Sequence, residues 1–159
     1  MSAVPRKVVR VRELDLHVAS FRDLSIETLY ALLRLRVDVF VVEQQCAYPE
    51  LDGRDTEPGT RHLWFADDDG SPVAYLRLLT DADGTARIGR VVVAAHARGA
   101  GLADRLIDAA LAETAGRPCV LDAQAHLVDL YARHGFTVVG AEYLDDGIPH
   151  VPMARPATS

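Results

Sequence analysis

The sequence predicts a mixed α/β fold, in which a mostly antiparallel sheet carries one β-α-β crossover. Three observations predict it. Short apolar runs alternate with Asp-Gly turns, as in antiparallel hairpins. A Val-rich run leads through a glycine turn into an amphipathic helix and a further apolar run, as in a crossover. A last hairpin pattern closes the chain. Beyond the first helix, strands are predicted over residues 62–66, 72–80, 86–93, 119–125, 137–144 and 150–154.

The N-terminal third is predicted to hold one strand, over residues 16–21, and one helix. Ser25 is the expected N-cap, with Leu24 and Leu29 as a hydrophobic staple. Arg36 falls on the apolar stripe of this helix, and because a buried charge is costly we expect it to meet a partner or a ligand. Residues 1–12 are predicted to form an arm or an edge strand of a single domain spanning residues 1–159. The predicted buried stripe consists of Leu29, Leu32, Leu33, Val37 and Phe40.

The central helix begins after Gly101 and carries apolar residues at positions 102, 106, 107, 110 and 111, which form one buried face. Gly116 and Pro118 end it. A third helix is predicted over residues 127–134, closed by Gly135.

The turn before the central helix has the features of a phosphate site. The first N–H groups of a helix lack partners, and glycines allow an anion to approach them closely. Arg98 adds donors that suit phosphate oxygens. A P-loop is excluded because no Lys follows the glycines, and a dinucleotide-binding loop would need a glycine where Asp104 stands. An ordinary strand–turn–helix connection is the alternative.

Two segments resemble the GNAT acetyltransferase superfamily. Arg98-Gly99-Ala100-Gly101-Leu102-Ala103 matches its Gln/Arg-x-x-Gly-x-Gly/Ala pyrophosphate loop, and residues 131–136, YARHGF, match its Tyr-x-x-x-Gly-Phe segment. The ElaA-like branch is similar over nearly the whole chain from Leu29 onward, including the stretches LRVDVFVVEQQCAYPELDGRD, RHLWF and DGIPHVPMAR.

The resemblance implies the GNAT fold and an N-acetyltransferase that transfers acetyl from acetyl-CoA to a primary amine by direct attack in a ternary complex. It implies that Tyr131 protonates the leaving thiolate, a role suited to a positioned phenol; packing behind Phe136 is the structural alternative. Many family members have Asn seven positions before that Tyr, whereas this chain has Gln124. The residues implied for the cofactor are Val91, Val92 and Val93 for pantetheine, Arg98, Gly99, Ala100, Gly101, Leu102 and Ala103 for pyrophosphate, and Gln124.

Aminolysis also requires removal of a proton from the amine. The candidate bases are Glu43, His62, Glu142 and His150. Glu43 could instead be the ion-pair partner of Arg36, the two histidines could be strand residues with satisfied imidazoles, and a water chain could replace a side-chain base.

Composition narrows the partners. The net charge of −6 argues against nucleic acid and anionic membranes. No apolar run approaches the ~20 residues of a membrane span, and no signal peptide is recognisable, so a cytoplasmic protein is expected. Cys46 and Cys119 fit no metal spacing, and no metal site is predicted. The acidic loop 43–57 and the hairpin 142–150 predict a cationic acceptor, either a small-molecule amine or a side chain; a homodimer stays open.

Two rival functions remain. Arg36 and Phe40, followed by Glu50, Asp52 and Asp55, are similar to segments of acyl-homoserine-lactone synthases, which bind S-adenosylmethionine. A CoA-binding sensor without catalysis is the non-enzymatic alternative.

Overall fold

The computed structural model describes residues 14–158, and all of their strands belong to one sheet. The strands are β1 (Leu16–Ala19), β2 (Arg61–Ala66), β3 (Pro72–Thr80), β4 (Ala86–Val93), β5 (Cys119–Gln124), β6 (Thr137–Val138), β7 (Tyr143–Asp145) and β8 (Ile148–Arg155). They pair in the order β1-β2-β3-β4-β5-β8-β6, and β7 also pairs with β8. Only β4 and β5 are parallel, which confirms the predicted mixed α/β fold with one crossover.

Three α-helices accompany the sheet in residues 14–158: α1 (Ile26–Val37), α2 (Leu102–Glu113) and α3 (Val128–Ala132). The Ser25 side chain accepts a hydrogen bond from the Thr28 N–H at 3.0 Å, so the predicted N-cap is confirmed. A π-helical segment, Asp38–Glu43, continues α1 directly. Within residues 14–158 no helix is long and apolar enough to cross a bilayer.

The helices cover opposite faces of the sheet. Leu102, Leu106, Ile107 and Ala110 of α2 pack with Leu63 and Phe65 of β2 and Ile88 of β4 in one cluster, as the predicted stripe requires. Leu32, Leu35 and Phe40 from the α1 region pack with Trp64, Tyr75 and Val92 in a second cluster. Because successive strand residues point to opposite faces, Ile88 and Val92 would share a face on a regular strand. They do not, so an extra residue interrupts β4 between them.

That extra residue is a β-bulge. Gly89 of β4 pairs with Arg77 of β3, and Val92 pairs with Tyr75, so two residues of β4 stand opposite Leu76 alone. Arg90, one of these two, has φ +52°, a left-handed conformation that is costly for a side chain of its size. The bulge therefore stores backbone strain at the centre of the sheet.

The prediction of one continuous strand over residues 137–144 is wrong. The structure divides it into β6 and β7, which pair with different parts of β8. Pro152 of β8 has no N–H to donate, and Gly140 approaches it so closely that an added Cβ would lie 2.6 Å from Pro152 Cγ. The ladder is therefore interrupted opposite Pro152.

Other boundaries differ by a few residues. The first strand ends at Ala19, not at 21, and α3 ends at Ala132 because the His134 and Gly135 N–H groups turn back three residues to Tyr131 and Ala132. In α1, Val37 is 36% exposed and Leu35 is buried, the reverse of the prediction, because the buried stripe runs through Leu32, Leu35, Arg36 and Val39 at i, i+3, i+4 and i+7 spacing. The arm predicted over residues 1–12 lies outside the described residues.

Candidate active site

A cleft opens where β4 and β5 diverge. Their ladder consists of two pairs, Ala86 with Cys119 and Arg87 with Val120. Beyond these pairs, the two strands are not paired with each other. The cleft has a volume of about 260 Å³. It is lined by residues 88–91 of β4 and by Leu121, Asp122 and Gln124 of β5. Unpaired strand edges present N–H and C=O groups to any occupant of the cleft.

The glycine turn follows the end of β4 and leads into α2. Gly99 and Gly101 have φ of +81° and +78°, and a Cβ added to either would meet no atom within 4 Å. The glycines are thus required by the backbone conformation, while the space around them is open. Gly101 is the N-cap residue of α2 and has no side chain to accept a hydrogen bond. The first N–H groups of α2 therefore point outward without a partner from the N-cap.

Arg98, which was expected to bind phosphate, forms an ion pair with a carboxylate of the protein. Its Nη1 and Nη2 donate to the two carboxylate oxygens of Glu43 at 2.6 and 2.7 Å, and its Nε donates to the Val93 carbonyl oxygen at 3.0 Å. The hydrogen bonds from Arg98 lower the pKa of the Glu43 carboxyl. The alternative pairing of Glu43 with Arg36 is therefore wrong, and Glu43 instead ties the end of the π-helical segment to the glycine turn.

Of the residues implied for the cofactor, Val91 and Gln124 line the cleft. Val92 is buried against the α1 cluster and Val93 packs against the α2 cluster. The Gln124 amide nitrogen lies 3.3 Å from the Gln44 side-chain oxygen, across the cleft. Residues 98–103 lie outside the lining, one turn beyond the end of β4.

Tyr131 of α3 also lines the cleft and is 6% exposed. Its ring packs edge-on against Phe136 at 6.3 Å between centroids, so the structural contact expected of it is present. Burial raises the pKa of Tyr131 to about 12. The phenol therefore keeps its proton at neutral pH in a site that faces the cleft.

The structure separates the four candidate bases. His62 is buried, with Nδ1 2.6 Å from the Tyr75 hydroxyl and Nε2 3.0 Å from the Asp55 carbonyl oxygen, and it does not line the cleft. Glu43 is paired with Arg98. Glu142 is exposed between β6 and β7 and is not part of the lining. His150 of β8 lines the cleft, so it is the candidate that the fold brings to Tyr131's side of the site.

Arg36 has the partners that its place on the helix stripe required. It is 1% exposed; Nε donates to Glu50 at 2.8 Å and Nη1 to Asp55 at 2.7 Å. Arg77 of β3 donates to Asp52 at 2.8 Å and to Asp55 at 3.2 Å. Burial opposes ionisation of Asp55, but hydrogen bonds from Arg36 and the charges of both arginines lower its pKa overall.

Arg90 completes this buried network from the bulge. Its Nε lies 3.0 Å from Glu50 Oε1, and its guanidinium lies 5.3 Å from the centre of the Tyr48 ring. The Tyr48 hydroxyl donates to Glu50 Oε2 at 2.7 Å. The network consists of Arg36, Arg77 and Arg90 with Glu50, Asp52 and Asp55. Sequence reasoning missed Arg77 and Arg90; the single signal was a charge within each strand pattern.

This network redistributes the acidic charge near the cleft. Glu50, Asp52 and Asp55 are neutralised by arginines, and Glu57 pairs with Arg54 at 3.1 Å. They are therefore not free to attract a cation. Asp145 and Asp146, at the β7–β8 turn, line the cleft and form no ion pair within residues 14–158.

The two cysteines are free thiols. Cys46 lines the cleft, where burial, followed by the charges of Asp146 and Asp145, raises its pKa. Cys119 lies in the core, and burial raises its pKa to about 11. Neither thiol is activated as a nucleophile. Residues 14–158 contain no group of three or more His, Cys, Asp or Glu side chains that could hold a metal ion.

This fold, in which the sheet opens between two parallel strands beside a glycine turn at a helix N-terminus, matches that of an acyl-CoA N-acyltransferase of known structure. The GNAT acetyltransferase domain matches residues 33–156, and the chain belongs to that family.

The relatives agree with this assignment. A UPF0039 protein of Mycobacterium tuberculosis is 54% identical over 140 residues, covering 86% of this chain and 90% of the relative. Protein ElaA of Escherichia coli is 43% identical over 150 residues, covering 89% and 94%. The crystal structure of an acyl-CoA N-acyltransferase from Pseudomonas aeruginosa superposes with a TM-score of 0.85 at 46% identity, covering 90% and 99%. A CoA-dependent acyl-homoserine lactone synthase, 18% identical with a TM-score of 0.70, shares the fold alone.

Proposed function

We propose that the protein transfers an acetyl group from acetyl-CoA to a primary amine by direct attack within a ternary complex. The observation that carries the proposal is the cleft between the diverging β4 and β5 edges, which has Tyr131 in its wall, together with the glycine turn that follows β4. Membership of the GNAT family supports an acyl-CoA donor; the acetyl group and the amine are our proposal.

Each part of the cofactor has a place in this geometry. Pantetheine would pair with the exposed backbone edge of Val91, Val92 and Val93, in the manner of an added strand. The pyrophosphate would accept hydrogen bonds from the N–H groups of residues 98–103, at the positive end of the α2 dipole. Arg98 would then exchange Glu43 for phosphate oxygens, since both are anionic partners for one guanidinium.

Tyr131 would act on the sulfur. As the tetrahedral intermediate collapses, the C–S bond breaks and the thiolate takes the phenolic proton, which the departing amine proton then replaces. Burial keeps the phenol protonated at neutral pH, so its proton is present when the thiolate forms.

The test is ligand-induced thermal stabilisation. Acetyl-CoA should raise the melting temperature, and NAD should not. At a hundredfold excess over Kd, acetyl-CoA should increase the free energy of unfolding by about 2.7 kcal/mol. Gly101→Ala should remove most of this shift, because the substituted turn can no longer present its N–H groups to the pyrophosphate.

Gly84→Ala is the matched control. Gly84 has φ +86°, close to that of Gly101, and open space around it, but it lies in the β3–β4 hairpin. It should cost similar stability without changing the acetyl-CoA shift. Equal shifts in the two variants would contradict the pyrophosphate assignment, and the absence of a shift in the parent protein would contradict the proposed function.

A further inference from the structure

His150 is held in the cleft by its strand neighbours. It pairs with Gln124 of β5 on one side of β8 and with Tyr143 of β7 on the other. Its ring stacks on that of Tyr143, with 5.9 Å between centroids and 24° between planes. The ring is thus oriented by packing, not left free on the surface.

The hydrogen bond of the ring fixes its tautomer. Nδ1 lies 2.7 Å from the Ile148 carbonyl oxygen. A carbonyl oxygen only accepts, so Nδ1 carries the hydrogen. In the neutral ring Nε2 then has the lone pair, and within residues 14–158 no group hydrogen-bonds to Nε2.

This arrangement is the opposite of that at His62. Both ring nitrogens of His62 are bonded within the core, whereas His150, which lines the cleft, has one nitrogen fixed and one without a hydrogen bond within residues 14–158. An imidazole with an oriented ring and an unpaired basic nitrogen has the properties of a general base.

We propose that His150 Nε2 accepts the proton of the acceptor ammonium group, an inference that rests on the proposed function. The N–H bond of the ammonium breaks, Nε2 becomes protonated, and the positive charge is shared with the Nδ1–H bond to Ile148. The freed nitrogen lone pair then attacks the thioester carbon, forming the C–N bond. The second amine proton replaces the proton that Tyr131 gives to sulfur, and His150 releases its proton to solvent.

The surroundings of His150 matter for the pH dependence of the rate. The titratable and charged groups on neighbouring elements and across the cleft are Asp122, His126, Tyr143, Asp145, Asp146, Cys46, Tyr48, Arg77, Arg87, Arg90 and Tyr131. His126 is the other imidazole among these groups, and variants of His150 and His126 separate their contributions.

The first experiment needs no acceptor. Nitrogen-15 NMR of the ¹⁵N-histidine-labelled protein, assigned with His150→Asn, reports the tautomer of the neutral ring. We expect the hydrogen on Nδ1 and an unprotonated Nε2. A neutral ring with its hydrogen on Nε2 would overturn the proposal, whether or not the protein proves to be an acetyltransferase.

The second experiment measures thiol release from acetyl-CoA with spermidine, kanamycin and Nα-acetyl-lysine as acceptors. His150→Asn keeps an amide donor for Ile148 but lacks the basic nitrogen, and should lower kcat/KM about 10²–10⁴-fold and change the pH profile of kcat/KM. His126→Asn should leave both unchanged. Free imidazole should restore turnover to His150→Ala.

The outcomes are distinguishable. Thiol release that persists in His150→Asn with the parent pH profile overturns the role of His150 and leaves the proposed function standing. A parent protein that neither binds acetyl-CoA nor releases thiol overturns the proposed function itself. Unchanged acetyl-CoA stabilisation in His150→Asn checks that the variant is folded.

Discussion

At the scale of single residues, Tyr131 combines burial with access to the cleft. Its hydroxyl forms no hydrogen bond with another group in residues 14–158, and burial raises its pKa to about 12. The hydroxyl is therefore available to hydrogen-bond to a ligand in the cleft.

Tyr131→Phe removes that hydroxyl and leaves the packing against Phe136. We expect kcat to fall about 10²–10⁴-fold while the acetyl-CoA thermal shift stays the same. Tyr30→Phe, an exposed position on α1, is the control and should behave as the parent. Steady-state kinetics together with thermal shifts measure both; a parent-like kcat in Tyr131→Phe would reduce Tyr131 to a packing residue.

His62 predicts a pH dependence of stability. Burial lowers the pKa of His62, so the unfolded chain binds a proton at a higher pH than the folded chain. The free energy of unfolding should therefore fall as the pH decreases below about 6.5, and the loss is complete once the folded histidine is also protonated. Its tautomer agrees: Nε2 donates to the Asp55 carbonyl, so Nδ1 must accept from Tyr75.

Urea unfolding between pH 7 and pH 5 measures this effect. His62→Gln should be less stable at pH 7 but show a flatter dependence over that range. His17→Gln, exposed on β1, should keep the parent's slope. If the free energy of unfolding of His62→Gln depends on pH as steeply as that of the parent, the pH dependence comes from other groups.

At the scale of elements, the buried arginine network joins α1 to the loop before β2 and to the bulge of β4. Arg36 reaches Glu50 and Asp55 from α1, and Arg90 reaches Glu50 from the bulge. The strained φ of Arg90 is held by these contacts. The network thus fixes one wall of the cleft relative to the other elements.

Arg36→Met should destabilise the protein by about 3–5 kcal/mol, because it leaves Glu50 and Asp55 buried with fewer partners. The matched control on the same helix is Arg34→Met, where the side chain is 74% exposed and lies 3.9 Å from Asp38. That change should alter stability little, since exposed pairs contribute little. Urea unfolding decides, and similar losses in both variants would contradict a structural role for the network.

At the scale of the whole molecule, the net charge is −6, but only some of the carboxylates are without an ion-pair partner and can attract a ligand. Arginines of the sheet and of α1 form ion pairs with the carboxylates of the acidic loop, whereas Asp145 and Asp146 form no ion pair within residues 14–158 and line the cleft. The prediction of a cationic acceptor stays a prediction, and it now depends on the β7–β8 turn instead of the loop.

If the acceptor is cationic, its KM should rise with salt, because charges at the mouth of a cleft are screened over ~8–10 Å. Asp145→Asn with Asp146→Asn should raise KM at low salt and weaken its salt dependence. The control pair is Asp68→Asn with Asp69→Asn, at the β2–β3 turn. Kinetics on the amine panel at two salt concentrations test it; a preferred neutral or anionic amine without salt dependence would contradict it.

Much of the fold was predictable because its signals are local. β3 and β4 were predicted with the observed bounds, and the α2 stripe faces the core as its spacing requires. These elements follow from apolar periodicity and turn residues, which depend on neighbours in the chain. The glycine turn was predictable for the same reason, since Gly99 and Gly101 both adopt positive φ.

Sequence by itself therefore determined the family, the crossover and the residues of the loop. Tertiary structure alone decided which charges meet: that Arg98 holds Glu43, that Arg36, Arg77 and Arg90 absorb the acidic loop, and that His150 reaches the cleft while His62 does not. The physical reason is that partners such as Arg36 and Asp55 lie 19 residues apart and Glu43 and Arg98 lie 55 apart. A bulge of one residue in β4 also sets the face to which Arg90 points, and local patterning carries no information about it.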